Sequence, residues 1–304
     1  MSQSNWTSLS FLTVVLVWST TPIAINWSSL TMHPILAVSL RMIMALLLGF
    51  TLIKFLRIPI PLTRNSMKLY LYSGLGLYGG MTFSYLSSSY ISTGVMSLVF
   101  GSAPIIAGLA AQRILKENKF SWIKWLALSI CLIGLGVISQ DSMALSDKAW
   151  LGFIFIISAV VFFSFSAVYV KTIIIEINPL ATTVGAISVA LPMYIVTWLI
   201  IDGHFEPSEW SLQSLYAIGY LAVFGSIVSF VCYYFILQKL TVSTVSTVTL
   251  VTPVISLIIG NQFNNEALTP VILLGSACVL SGLALYLWGE QLLKRKPKLS
   301  CESI

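Results

Sequence analysis

The chain has 304 residues, 57% of them hydrophobic and 9% charged, with a formal net charge of +6. Charged residues make up about a quarter of an ordinary soluble protein, so this composition excludes a water-covered globular surface and leaves lipid as the main solvent. The positive balance does not indicate nucleic acid, because the basic residues are spread over the connections between apolar runs.

A hydrocarbon layer about 30 Å thick is crossed by about 20 helical residues. Ten apolar segments fit, near 9–30, 34–56, 68–90, 94–114, 122–140, 150–171, 180–201, 212–237, 243–263 and 268–289. Lipid offers backbone amides no partner, so the runs are expected to be helices and the fold class an all-α integral membrane protein. The first segment is longer than a signal-peptide core, has no basic stretch before it and leads directly into another span, so it is expected to be retained.

The first span carries "WSTTP", Trp18 to Pro22. Trp6, Trp27, Trp122, Trp125, Trp150, Trp198, Trp210 and Trp288 lie near predicted helix ends, as amphipathic rings at a membrane interface do, whereas Trp18 lies mid-span beside hydroxyls. An aromatic wall of a substrate cavity, with Thr21 next to it, is therefore expected, against core packing as the alternative. The second span starts at Pro34 and holds Arg41, a charge well inside the apolar run. Three roles are open to it: snorkelling to the interface, pairing with a substrate carboxylate or phosphate, or holding helix-end carbonyls.

In the third span "GLGLYG", Gly74 to Gly79, has the spacing of a dinucleotide-binding turn but no strand before it, so close helix contact is the expected use. Tyr78, Thr82, Tyr85 and Ser89 recur at helical spacing and are expected to form a polar stripe on the cavity. The fourth span is interrupted by Pro104 and followed by Glu117, and the ninth repeats the pattern with Pro253 and Glu266. Pro22, Pro104 and Pro253 are expected to bend their helices at a cavity or hinge, since each removes a backbone hydrogen bond. Tyr169, Tyr220, Ser246, Thr249 and Thr252 are expected to complete a lining of hydroxyls and aromatics.

With the N-terminus inside, Lys54, Arg57, Arg64, Lys68, Arg113, Lys116, Lys119, Lys124, Lys171, Lys239 and the basic stretch of the tail fall on the cytoplasmic side. Asp141, Asp147, Asp202, Glu206, Glu209 and Glu266 fall outside. This bias places both termini in the cytoplasm and sets the basic residues against anionic headgroups of membrane lipid. His33 and His204 fall in external connections without metal-site spacing, and Cys131, Cys232, Cys278 and Cys301 form no C-x-x-C pair, so neither cofactor nor metal is implied. Predicted span interiors hold no Asp or Glu, which argues against a simple proton relay.

Aligning Pro104 on Pro253 brings the fifth span onto the tenth, and a separate alignment brings Pro34 onto Pro179 and the second span onto the seventh. The halves, 8–140 and 150–289 with a basic tail at 290–304, then hold five helices each, and an odd number inverts the second copy in the membrane. "WSTTP", Pro34 followed by Arg41, and P-x12-E twice with a glycine-rich helix after each ("LIGLGVI", "LSGLALYLWG") resemble the EamA family of the drug/metabolite transporter superfamily. That resemblance implies a bacterial inner-membrane transporter of small metabolites, often an exporter of amino acids or related compounds, with a cavity lined by both halves. The resulting expectation is a secondary transporter of small polar or amphipathic metabolites. Import or exchange of, for instance, a nucleoside-containing compound is the alternative within that fold, and a non-transporting bundle the alternative outside it. A membrane enzyme would need a catalytic constellation that the spans do not contain.

Overall fold

The computed structural model describes residues 3–145, 147–240, 245 and 248–294. All regular structure among these residues is helical: α1 (Gln3–Ser28), α2 (Pro34–Leu56), α3 (Arg64–Ser87), α4 (Thr93–Phe100), α5 (Ala103–Ile114), α6 (Trp122–Leu145), α7 (Ala149–Lys171), α8 (Pro179–Ile201), α9 (Leu212–Tyr220), α10 (Ser229–Lys239), α11 (Val248–Asn264) and α12 (Pro270–Lys294). A π-helical stretch, Leu221–Val228, joins α9 to α10 without a break. Among the described residues, 8 helical stretches are long and apolar enough to cross a membrane, with α4–α5 and α9–α10 each counted as one. The two helices outside that set are α3, whose 24 residues are diluted by glycine, serine and tyrosine, and α11, described over 17 residues.

Helices start where a polar side chain precedes the apolar run. Thr63, Ser92, Asn178 and Ser211 accept from the amides of Ser66, Val95, Leu180 and Ser214, which satisfies donors that a helix start leaves without partners. Pro34 and Pro179 take the first helical position, where a missing N–H is harmless. Helix ends carry the opposite polarity: Lys171 donates its ammonium to the carbonyls of Leu237 and Leu240 at the end of α10.

His33 caps α2 with its Nδ1, which accepts from the amide of Ile35 at 3.2 Å. Burial lowers its pKa below the usual 6.5, with the Asp202 charge acting in the other direction. The cap needs the neutral ring, so its contribution is present above 6.5 and is lost as pH falls through the lowered value. Thermal stability of the purified protein should therefore drop from about pH 7 to about pH 5, and His33→Asn, which keeps an acceptor without titrating there, should flatten that dependence.

The fourth span differs from the expected kinked helix. It stops after Phe100, turns at Gly101 and Ser102, and restarts as α5 with Pro104 in the first turn, where no intrahelical bond is lost. Gly101 at this break is closely packed: a Cβ there would lie 2.9 Å from the Leu98 carbonyl, 3.1 Å from Leu283 Cδ1 and 3.3 Å from the Thr249 carbonyl. Pro22 and Pro253 do lie inside α1 and α11, and Pro192 lies inside α8.

The repeated P-x12-E pattern has one local geometry. Lys116 and Asn265 both adopt the left-handed conformation, with φ of 55° and 51°. Immediately after them, the amides of Glu117 and Glu266 reach back to the carbonyls of Ala111 at 3.3 Å and Gly260 at 3.1 Å. Each glutamate thus follows a helix stop of the left-handed type.

Glycines set the closest helix contacts. Gly74 meets α8 at Val189 and Ala186, and Gly76 and Gly79 meet α7 at Ser166 and Phe162, so "GLGLYG" is a packing surface. Helix α6 lies along α12 with Gly134 and Gly275 face to face, where a Cβ on Gly134 would stand 2.7 Å from the Gly275 carbonyl. The pair is joined at both ends: Ser121 before α6 donates to Glu290 of α12, and Thr269 before α12 donates to Asp141 of α6.

Candidate functional site: a central cavity and a buried arginine

A cavity lies between α1, α3, α4, α7, the π-helical stretch and α11. Trp18, Thr21 and Pro22 of α1 and Thr249 and Thr252 of α11 line it, as expected from the sequence. Trp18 lies edge-on to Phe163 with ring centroids 5.5 Å apart and tilted against Tyr233 at 5.3 Å. Trp18, Phe163 and Thr249 also border a second space, lined further by Ala107, Leu237 and Val245.

Other expected residues lie elsewhere. Tyr78 packs on Tyr194 and shares a 2.7 Å hydrogen bond with Thr197, which makes it part of the α3–α8 contact. Thr82 is buried with its hydroxyl unpartnered, and Tyr85 is fully buried. The cavity wall on α3 is instead the adjacent row, Met81 and Ser84. Polar edges at Tyr78, Thr82 and Tyr85 therefore do not line the cavity, and helical spacing alone could not separate two rows one position apart. Tyr169 is exposed and lies against Tyr72, outside this cavity's lining. Tyr220 shares a 2.6 Å hydrogen bond with Thr20 and is tilted against Phe224, and it is not among the residues that line this cavity. Ser246 lies outside the described residues.

Met96, Ser97, Phe100, Phe163 and Gly225 were not anticipated as lining. The break after Phe100 brings the first three to the cavity, a tertiary effect with no local mark beyond Gly101.

Arg41 does not snorkel. Its side chain is 0% exposed. Nε donates to the Ser226 hydroxyl at 2.9 Å and Nη2 to the Gly225 carbonyl at 2.7 Å, while Nη1 has long contacts to Tyr85 Oη at 3.5 Å and Met81 Sδ at 3.7 Å. Gly225 and Ser226 belong to the π-helical stretch, and the Gly225 carbonyl also accepts from the Ser229 hydroxyl at 2.8 Å. Single π turns inside α-helices are often found at functional sites, and here the side chains of Arg41 and Ser229 converge on one carbonyl of that stretch.

A polar network lies in the chain just after Ile25, at the ends of α1, α3 and α11. The Glu266 carboxylate accepts from the Thr93 and Gly94 amides at the start of α4, at 2.9 and 3.2 Å. Asn264 donates to Glu266 at 3.0 Å and accepts from Trp27 Nε1 at 3.3 Å, and Asn26 donates to the Ser88 carbonyl at 3.2 Å. The ends of α1, α3 and α11 and the start of α4 are thereby tied together. A carboxylate at a helix start is favoured both by the free amides and by the helix dipole.

Comparison with known proteins places this architecture. The model of the EamA-like transporter family matches twice, over residues 5–140 and 150–288. The chain belongs to the EamA-like transporter family. Within it, an Escherichia coli K12 protein named as the uncharacterized inner membrane transporter YedA is 23% identical over 288 residues, covering 93% of this chain and 90% of its own. An Archaeoglobus fulgidus protein named as an uncharacterized transporter is 28% identical over 213 residues, covering 69% of this chain and 74% of its own. The Bacillus subtilis transporter YoaV is 21% identical, covering 90% and 94%. A crystal structure, titled only as that of a protein, superposes with a TM-score of 0.70 over 95% of this chain and 99% of its own at 16% identity, which shows a shared fold. This EamA-family chain is a multi-pass membrane protein of a transporter family.

Proposed function

We propose that the chain is a secondary transporter in the bacterial inner membrane that moves small polar or amphipathic metabolites by alternating access, exporting amino acids or related compounds. The observation that carries this reading is the cavity lined from both halves of the chain, with a second space that shares Trp18, Phe163 and Thr249 with it and reaches Leu237. The hydroxyls of Thr21 and Ser84 donate to Val17 and Gly80 of their own helices, so they offer lone pairs to a substrate ammonium. Aromatic rings nearby suit its apolar part.

The architecture in this reading is ten transmembrane helices in two inverted five-helix repeats, about 8–140 and 150–289, with both termini cytoplasmic. Three features support it: the two family matches, the equal geometry after Lys116 and Asn265, and the reciprocal end contacts of α6 and α12. Helix neighbours also exchange under the repeat: α3 on α7 corresponds to α10 on α1, and α5 on α7 to α11 on α1. Inverted repeats with a site between them are a common construction of secondary transporters.

Uptake of a labelled metabolite panel into proteoliposomes, with and without an imposed pH gradient, tests the function, and no flux of any solute would remove it. Tags at the N-terminus, in the 57–67 connection and at the C-terminus should be cytoplasmic, and tags near 145 and 205 external. Termini on opposite sides would remove the five-plus-five arrangement. The Glu266 network is the closed outer gate in this reading. Glu266→Ala should accordingly increase labelling of a Thr21→Cys reporter by an impermeant thiol reagent added outside, and unchanged labelling would deny Glu266 that role.

A further inference from the structure

Arg41 is a fully buried cation, and among the described residues no carboxylate lies within ion-pair distance of it. The ion pair that those residues do form is the surface contact of His204 with Asp202. An ionised group at membrane depth is costly and is retained where it meets an opposite charge or serves a transport path. The partners of Arg41 within the chain are neutral, and Nη1 has only long contacts. The guanidinium also lies directly behind the cavity wall. Gly225 lines the cavity, and a Cβ there would stand 3.1 Å from Nη2. Met81, in contact with Nη1, lines it as well.

We propose that Arg41 recognises the carboxylate of a small amphipathic substrate, which takes Nη1 and Nη2 as a fork and displaces the Gly225 carbonyl from Nη2. This inference rests on the transporter reading and adds the charge of the substrate to it. A carboxylate accepts two parallel N–H bonds from one guanidinium edge, and that charge-assisted pair is stronger than the bond to a neutral carbonyl that it replaces. The apolar part of the substrate then lies against Trp18, Phe100 and Phe163. Release of the Gly225 carbonyl loosens a clamp on the π-helical stretch, so carboxylate binding and rearrangement of the α9–α10 span become one event. A ligand moves such an equilibrium only through contacts that differ between the two states, and this exchange of acceptors is a contact of that kind.

The test uses acid and amide pairs: 3-phenylpropanoate with 3-phenylpropanamide, phenylalanine with phenylalaninamide, and leucine with leucinamide. Binding to purified protein is read by thermal stabilisation, and the acids are followed by counterflow in proteoliposomes. At least one acid should bind roughly tenfold or more tightly than its amide. Arg41→Gln should abolish that preference, and Arg41→Lys should restore part of it, because an ammonium lacks the planar fork. Equal binding of acids and amides by the unmodified protein would overturn the proposal, as would an unchanged preference in Arg41→Gln. The unmodified protein alone decides the matter if Arg41→Gln fails to fold. Flux of neutral or cationic solutes without any carboxylate would overturn this inference and leave the transporter reading standing, whereas no flux of any solute would remove both.

Discussion

Gly134→Leu should give a protein that inserts poorly and melts well below the parent, while Gly136→Leu, two residues along the same helix, should behave like the parent. The two sites differ in what a side chain would meet. At Gly134 even a Cβ would lie 2.7 Å from the Gly275 carbonyl and 2.9 Å from Cys278 Cβ, both on α12. At Gly136 nothing lies within 4 Å. Backbone cannot move aside as a flexible side chain can, so α6 and α12 would have to separate along their whole contact. Overpacking of a well-packed interface costs about 1–3 kcal/mol, and more where backbone is the obstacle. Melting followed by intrinsic fluorescence in detergent checks the pair, and equal stability of the two variants would mean that α6 and α12 are not held at this distance.

Trp18→Ala should reduce transport by roughly tenfold or more while leaving insertion normal, and Trp198→Ala should have a mild effect. Trp18 contacts Phe163 and Tyr233 and borders both cavity spaces, so its loss removes the aromatic surface a substrate would cover. Trp198 packs edge-on against Phe205 near the end of α8, remote from the cavity lining. Initial rates in proteoliposomes, normalised to inserted protein, decide between the two positions. Equal and mild losses would return Trp18 to a packing role.

What the sequence made legible was what local chemistry determines. Pro34 and Pro179 at helix starts follow from composition and side-chain geometry, and so do the mid-span position of Trp18 and the repeated helix stop before Glu117 and Glu266. The burial of Arg41 removes snorkelling from the three roles that its place in an apolar run allowed. The rest depends on contacts between distant segments. The π-helical stretch Leu221–Val228 has no composition of its own, and the Arg41 and Ser229 side chains that clamp it at Gly225 include one from another helix. The break at Gly101 lies against α12 at Leu283 and α11 at Thr249, contacts that local sequence does not show. Glu266 was read as an end residue because nothing near it in the chain shows that its carboxylate caps a helix that begins more than half the chain earlier. The stripe on α3 was displaced by one row because Tyr78 and Tyr194 find each other across the α3–α8 contact.

The double fastening of α6 to α12 has a mechanical consequence. Two antiparallel rods joined by Ser121 to Glu290 at one end and by Thr269 to Asp141 at the other, with glycine backbones touching between, cannot slide without straining both bonds or splay without breaking the bond at the end that opens. In the proposed alternating-access cycle the pair is the expected axle. Spin labels on the outer surface of α6 and α12 should keep one separation through a transport cycle, while labels on α1 and α4 near Asn26 and Thr93 change theirs, which makes the α6–α12 pair the fixed ruler against which the motion of the other helices is measured.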